Sequence, residues 1–174
     1  MRGAISMFRP MRRFKQALSP EECRAVLERG TSGVLALTGD GGWPYAVPLS
    51  YVYADGKLYF HSAKSGHKVD AIRSCPRASF CVIDQDHIVP EEYTTYFRSV
   101  IAFGTVRILE EDGEKRAAIE KLAVKYAPAD SRENRDSAID REWAPLCMLE
   151  MEVEHLSGKE AIELVRQRES CPSP

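Results

Sequence analysis

The sequence lacks several features that would assign it at once to a common class. It has no apolar run of about 18 residues, the length that a membrane-spanning helix requires. Its five cysteines are scattered without the close pairs of a zinc site, so we expect no metal site and free thiols in a reducing cytoplasm. The net charge of -2 and a pI near 6.1 exclude the broad basic field of a nucleic-acid-binding protein.

What is present is the composition of one ordinary folded domain. The chain has 174 residues, of which 44% are hydrophobic and 29% charged, enough for one core. Residues 1–16 carry five positive charges and no acid, and are interpreted as a basic N-terminal extension that is partly disordered. Residues 17–165 are predicted to form the single domain, and residues 166–174 a tail.

Residues 59–68, Tyr-Phe-His-Ser-Ala-Lys-Ser-Gly-His-Lys, form the most informative stretch. They follow an alternating, strand-like segment and precede a short amphipathic pattern that Pro76 closes. Free N–H groups at such a strand-to-helix junction favour an anion, and hydroxyl, imidazole and ammonium groups add donors there. These donors belong to Ser62, Ser65, His67 and Lys68. Serine and glycine are also ordinary helix-start residues, so the stretch alone allows either an anion site or a plain helix start.

Helix signals occur at both ends of the chain and in its second half. Ser19, Pro20 and Glu22 have the spacing of a capping box and predict a helix that runs to Gly30. A second amphipathic helix is predicted over 112–127, with its buried side formed by Ala117, Ile119, Leu122, Ala123 and Tyr126. The polar segment 128–140 is interpreted as a surface insertion with one helical turn. A final helix is expected to begin near 157–160.

Strand-like runs fill most of the remaining sequence. They cover residues 33–38, 43–53, 57–61, 77–83, 93–109 and 145–155. Turns with Asp-Gly join the first three into an antiparallel meander, and Gly104 predicts a bend or bulge. The order predicts a mainly β protein with flanking helices, built as a six-stranded antiparallel barrel. Because small barrels have filled interiors, a ligand must bind outside the wall or between two copies, which favours a dimer.

Four segments, taken together, resemble a known family. They are 44–53, 59–63, 66–68 and 98–104. In this order and spacing the chain resembles the pyridoxamine 5'-phosphate oxidase-related FMN-binding split barrels, and among them the nitroimidazole-resistance (Nim) branch. The resemblance covers about residues 11–161. It implies a homodimer of six-stranded split barrels with two FMN molecules at the subunit interface.

The resemblance also implies which residues bind the cofactor. The set is Ala46, Val47, Pro48, Leu49, Ser50, His61, Ser62, His67, Lys68 and Ser99. Residues 46–50 would line the flavin ring mainly through their main chain, and His61 and Ser62 would continue that wall. His67 and Lys68 match the basic pair at the FMN phosphate, where the oxidases have Arg followed by Lys. Ser99 stands where the oxidases carry a glutamine that reaches the flavin.

Two of these positions carry chemical consequences. His67 is a weaker and titratable anion partner compared with arginine, so FMN affinity is expected to depend on pH. His61 matches an active-site histidine of the Nim branch, which makes it the candidate catalytic residue. Its alternative role is that of a strand-end histidine whose hydrogen bonds are satisfied by the backbone.

The implied activity is a flavin-dependent reduction. By resemblance, the protein takes a hydride from NADH or NADPH and passes electrons to a small nitroaromatic or quinone-like acceptor, with FMN as cofactor and FAD as a possible substitute. Only the nicotinamide must stack on the flavin, so the absence of a Gly-x-Gly-x-x-Gly fingerprint is no evidence for or against NADH or NADPH as the donor. No counterpart of the residues that grip pyridoxal phosphate follows Leu149, which disfavours vitamin B6 oxidation. A non-catalytic flavin store or redox sensor, and a barrel that binds haem or a deazaflavin, are the alternatives.

Overall fold

Seven antiparallel strands form a single sheet in the computed structural model, which describes residues 7–170. The strands are β1 (Ser32–Thr38), β2 (Pro44–Ser50), β3 (Val52–Ala54), β4 (Lys57–Ala63), β5 (Arg77–Val89), β6 (Thr94–Leu109) and β7 (Leu146–Glu160). Their order in the sheet is β2-β1-β5-β6-β7-β4-β3. Because β2 and β3 occupy opposite ends of this order yet are separated by Tyr51 alone, the sheet must curl round into a barrel. The predictions for residues 1–6, for residues 171–174 of the tail and for Cys171 lie outside the described residues.

The number of strands was predicted as six, and this was wrong by one because the run 43–53 divides at Tyr51. Residues 44–50 pair with β1, and Val52–Ala54 pairs with β4. At the division, the main-chain N–H and C=O of Tyr51 each lie 3.0 Å from the hydroxyl of Tyr126. One continuous segment therefore serves both ends of the sheet.

The last strand of the barrel and the start of the final helix also differ from the prediction. The expected final helix is present but begins at Ile162, later than predicted, because residues 157–160 continue β7 and pair with Arg98–Ile101 of β6. Strand pairing outweighs the local helix signal, since β6 offers an open row of main-chain partners there. The predicted irregularity at Gly104 is confirmed as a shift of register between β6 and β7. Strand β5 similarly extends past the predicted 77–83, with a bulge next to Asp84.

Five α-helices flank the barrel in the described part of the chain: α1 (Pro20–Arg29), α2 (His67–Ser74), α3 (Asp112–Tyr126), α4 (Arg132–Glu142) and α5 (Ile162–Ser170). The predicted capping box is confirmed, with Glu22 N 3.1 Å from Ser19 Oγ and Ser19 N 2.7 Å from Glu22 Oε2. Helix α5 extends into the predicted tail and reaches Ser170. No helix of residues 7–170 has the length and apolar character needed to cross a membrane.

Helix α3 buries a narrower face than the one predicted. Lys115, Ala118 and Leu122 are buried, whereas Ala117 is exposed and Tyr126 is 44% exposed. The buried residues follow the i, i+3, i+7 spacing of a single stripe. This stripe packs on the outside of β3 and β4, so α3 covers the barrel wall instead of filling its interior.

The barrel interior is filled by large side chains. Phe80 packs edge-on against both Tyr51 and Phe60, with ring centroids 4.9 Å apart in each pair. Leu35, Leu58, Val100, Leu149 and Met151 complete this core and are all fully buried. A filled interior leaves no room for a small molecule, and this is usual for small barrels. Any ligand must bind on the outer wall.

Candidate functional site

A cavity of about 700 Å³ lies on the outside of the barrel wall, beneath helices α3 and α4. The barrel contributes Ser50, His61 and Ala63, and the helices contribute mainly apolar side chains such as Leu122 and Ile139. Ligand sites in proteins have this size and this mostly apolar lining with a few polar groups. The cavity is therefore a candidate site for a small, flat organic molecule.

Strand β2 forms one wall that leads into this cavity. It lies at the end of the sheet order, so one edge of its main chain is not paired within the sheet. Pro48, which lacks an N–H, fits such an edge strand. Ala46, Pro48 and Ser50 are exposed on the outer face, whereas Val47 and Leu49 pack against the core. A flat ring on this wall would contact small side chains and unpaired main-chain groups. It would contact Val47 and Leu49 through their main chain only, because their side chains point into the core.

Strand β4 presents His61 to the cavity. His61 and Ala63 are exposed, while Ser62 between them points to the opposite face because side chains alternate along a strand. Tyr59, on the same face as His61, is buried in the cluster under α3. Within residues 7–170, His61 has neither a hydrogen bond nor an ion pair. The alternative of a backbone-satisfied histidine is thus not supported by the geometry.

The start of α2 is open to a ligand. Helix α1 is capped by Ser19 and helix α4 by Ser131, whose side chains accept hydrogen bonds from main-chain N–H groups. Helix α2 begins after Gly66, which has a φ of 127° and provides no side-chain cap. The side chains of Ser62 and Ser65 do not take this role either. Uncapped N–H groups at a helix start, together with the helix dipole, favour an anion.

A cationic side chain, Lys68, lies in the first turn of this helix. Burial lowers the pKa of Lys68, and no described carboxylate pairs with that side chain. Burial raises the pKa of the Cys147 thiol, and the charges of Lys115, Arg73, Lys68 and Lys64 all oppose that shift. Of these cations, Lys68 lies in the first turn of α2, whereas Arg73 lies in its last turn, 3.8 Å from Asp70, and Lys115 lies on α3 against Trp143. A phosphate at the helix start would therefore meet the charge of Lys68.

His67 connects this basic end to strand β2. Its ring stacks on Tyr45, with centroids 4.1 Å apart, and its Nε2 lies 3.8 Å from Oδ2 of the exposed Asp40. Tyr45 is near the beginning of β2, and Ser50 at its end reaches the cavity. Five residues of extended strand span about 17 Å. Only an elongated ligand could occupy both ends of this wall.

Ser99 lies apart from the other predicted residues within one chain. It is half-buried on β6 and pairs with Ile83 and Lys159. The neighbour of His61 across the sheet is Met148, which pairs with Leu109, ten residues further along β6. This separation corresponds to roughly 30 Å of strand. The structure thus brings Ser50 and His61 together, places His67 beside Tyr45 near the other end of β2, and leaves Ser99 remote.

Helix α4 and Tyr126 were missed as parts of the site by reasoning from the sequence. The segment 128–140 was interpreted as an insertion with one helical turn, yet 132–142 forms a helix of three turns whose Arg135, Ala138 and Ile139 line the cavity. Ser131, three residues before Asn134, was a usable helix-start signal. Within the described residues, no group of three or more potential ligands could hold a metal ion.

The architecture is that of a split barrel, in which β2 and β3 part at Tyr51 to opposite ends of the sheet order and the cavity lies on the outer wall. The family model of pyridoxamine 5'-phosphate oxidase matches residues 19–160, and the chain belongs to this family. Among curated proteins, none matches the sequence.

Solved structures share this fold. A Bacteroides thetaiotaomicron protein named for 5-nitroimidazole antibiotic resistance is 20% identical, with a TM-score of 0.69 over 83% of this chain and 86% of its own. A FAD-binding protein from Mesorhizobium loti is 28% identical, with a TM-score of 0.63 over 84% of this chain and 97% of its own. A FAD and haem binding protein from Mycobacterium smegmatis is 21% identical, with a TM-score of 0.67 over 84% and 73%.

Proposed function

We propose that the protein binds FMN on the outer wall of its barrel and acts as an NAD(P)H-dependent reductase of a small nitroaromatic or quinone-like acceptor. The observation that carries the proposal is the continuity of the wall. An uncapped, cationic helix start at α2 is joined by the small-residue face of β2 to an apolar cavity that contains an unpaired histidine. This arrangement fits a ligand with a phosphate at one end and a flat ring at the other.

The roles of the residues follow from their positions. Lys68, the N–H groups of the first turn of α2 and His67 would hold the phosphate, and the main chain of 46–50 would meet the polar edge of the ring. When bound, the flavin supplies the hydride chemistry. The apolar faces of α3 and α4 would exclude water from the ring, and His61 would donate a hydrogen bond to the acceptor. The exposed surroundings of His67 leave space for the longer FAD as well.

A homodimer is part of the proposal. Ser99 is too distant to reach a flavin held by its own chain, but a partner chain could receive it. The outer face of β1 and β5 carries Val34, which is 38% exposed, and Ile83, which is 65% exposed. Apolar side chains on an outward strand face support burial against a second copy. Sedimentation of the flavin-loaded protein as a monomer would argue against this part.

The cofactor assignment is tested by substituting Lys68. Lys68→Ala should weaken FMN binding by about 1.5–3 kcal/mol, the range for losing a hydrogen bond to a charged group. Titration of the flavin-free protein with FMN, followed by flavin fluorescence, gives the dissociation constant. Lys15→Ala, an exposed lysine on the N-terminal segment, is the matched control and should leave the constant unchanged. Equal constants for Lys68→Ala and the unchanged protein would refute the phosphate assignment.

Absorption spectra separate the remaining functions. Flavin and haem have distinct visible spectra, and His61 is the only histidine, cysteine or methionine among the described residues that line the cavity, so a bis-ligated haem is disfavoured. Anaerobic addition of NADH or NADPH should bleach the bound flavin. A flavin that stays oxidised would instead support a non-catalytic flavin store or redox sensor.

A further inference from the structure

Helix α4 places an arginine without a partner at the cavity. Arg135 is half-buried and lines the cavity together with Ala138 and Ile139 of the same helix. Within residues 7–170, its guanidinium makes no ion pair and no hydrogen bond. A guanidinium beside apolar walls gains strongly from a carboxylate, which it can bind through two parallel hydrogen bonds.

The other arginines around α4 are paired, which sets Arg135 apart. Arg116 of α3 lies 3.0 Å from Asp136 and also bonds Asp140, and Arg132 lies 3.7 Å from Asp136. The pairs of Arg116 attach α4 to α3, and the pair of Arg132 lies within α4. Asp136 and Asp140 are thus taken up by other arginines, and Arg135 is left facing the cavity.

The remaining polar groups of the cavity are already engaged, except for two on the barrel side. The Asp130 carboxylate accepts hydrogen bonds of 2.8 and 3.0 Å from the Asn134 side chain, and Glu142 lies 3.6 Å from Arg141. The Tyr126 hydroxyl is occupied by main-chain groups of the barrel. His61 and Ser50 are the exceptions and stand on the opposite, barrel side. Within the described residues, three free donors thus face the cavity, Arg135 from the helices and His61 and Ser50 from the barrel.

We propose that Arg135 selects acceptors that carry a carboxylate on a flat aromatic body. This inference rests on the proposed flavin reductase, because it names the substrate class of the same site. The aromatic body would lie against Ile119, Leu122 and Ile139, and the carboxylate would bind the guanidinium. Arg135 is a specificity residue in this scheme, and His61 keeps its contact with the reducible group.

The test compares a charged acceptor with a neutral one of the same shape. The variants are Arg135→Gln, Arg135→Lys and Arg132→Gln, the last being a control on the same helix outside the cavity. In Arg135→Gln, the KM for para-nitrobenzoate should rise about 10- to 150-fold, the effect of losing a hydrogen bond between charged groups. The KM for para-nitrobenzamide should change less than about twofold. Arg135→Lys should recover part of the loss, because it keeps the charge but not the planar fork.

Direct binding provides a readout that does not need turnover. Calorimetric titration of the purified protein with para-nitrobenzoate should show the same loss of affinity in Arg135→Gln and none in Arg132→Gln, with or without FMN. Circular dichroism confirms that each variant is folded. Unchanged para-nitrobenzoate binding in Arg135→Gln overturns the inference, as does a rise in KM for NADPH alone, which would assign Arg135 to the nucleotide.

Failure of the proposed function has a different signature. If the unchanged protein neither binds FMN nor is reduced by NAD(P)H, the reductase proposal fails, while the binding titration still decides whether Arg135 holds a carboxylate. If Arg135→Gln loses FMN affinity but retains para-nitrobenzoate binding, Arg135 belongs to the cofactor and the selectivity inference is wrong. Each outcome therefore supports or rejects either the reductase proposal or the inference that Arg135 selects carboxylate-bearing acceptors.

Discussion

The hydroxyl of Tyr126 holds the barrel wall together where the strand run divides. It accepts a hydrogen bond from the N–H of Tyr51 at 3.0 Å. It also lies 3.0 Å from the carbonyl oxygen of Tyr51 and within bonding distance of that of Thr31, to one of which it donates its single proton. Tyr51 is fully buried, so water cannot readily replace these contacts.

Removing this hydroxyl tests the division of the strand directly. Tyr126→Phe keeps the ring but leaves the buried N–H of Tyr51 without its partner, a loss of about 1–3 kcal/mol. For a chain of this length, 1 kcal/mol lowers the Tm by about 2–4 °C, so the expected fall is roughly 2–12 °C. Because Ser50 precedes Tyr51 and lines the cavity, FMN affinity should fall as well.

Urea unfolding followed by circular dichroism measures the effect, with Tyr96→Phe as the matched control. The hydroxyl of Tyr96 bonds Glu92 at 2.9 Å on the surface, where water can replace it, so that variant should change stability by less than about 0.5 kcal/mol. If the two variants lose the same stability, the hydroxyl of Tyr126 does not support the strand division and the reasoning is refuted.

Two further predictions concern the barrel. Gly104→Ala would place a Cβ 1.8 Å from the carbonyl oxygen of Glu152, so β6 or β7 must shift, and urea unfolding should show a loss of at least about 1–3 kcal/mol. Burial alone would raise the pKa of Asp84, but the hydrogen bonds and charge of Arg29, reinforced by Arg98, hold it below its ordinary value. This stabilisation is present above the ordinary carboxyl pKa and is lost as the pH falls through the lowered one. Asp84→Asn should therefore be less stable at neutral pH, and urea midpoints measured at successively lower pH should converge; parallel midpoints would contradict this.

Features determined by neighbouring residues could be predicted from the sequence. The capping box of Ser19 and Glu22, the irregularity at Gly104 and most strand positions depend on local backbone preferences and side-chain alternation. The division at Tyr51 could not be predicted, because it depends on a hydroxyl 75 residues away in the sequence. The end of β7 was missed for the same reason, since pairing with β6 decides whether residues 157–160 form a strand or a helix.

The residues of the candidate site fall into the same two groups, those predictable from neighbouring residues and those that depend on distant ones. The segment 59–68 contains both the strand end with His61 and the helix start with Lys68, so the local sequence was enough to propose both positions. Ser99 was proposed through family resemblance alone, and its distance from His61 means that the proposed role of Ser99 requires the proposed dimer. Helix α4 could not be assigned to the cavity, because its sequence is polar and Ile139 is its single buried residue.

The manner in which α4 is attached bears on the selectivity that we propose for the cavity. The interior is filled by aromatic and aliphatic side chains, so selectivity can arise only from what covers the outer wall. Helix α4 is held to α3 by the pairs of Arg116 with Asp136 and Asp140, with little apolar burial of its own. Surface ion pairs contribute about 0–1 kcal/mol each, far less than core packing. Changes in α4 should therefore alter the cavity and its charge with little effect on barrel stability, so under the proposed function substrate choice would depend on α4, and cofactor binding on β2, β4 and the start of α2.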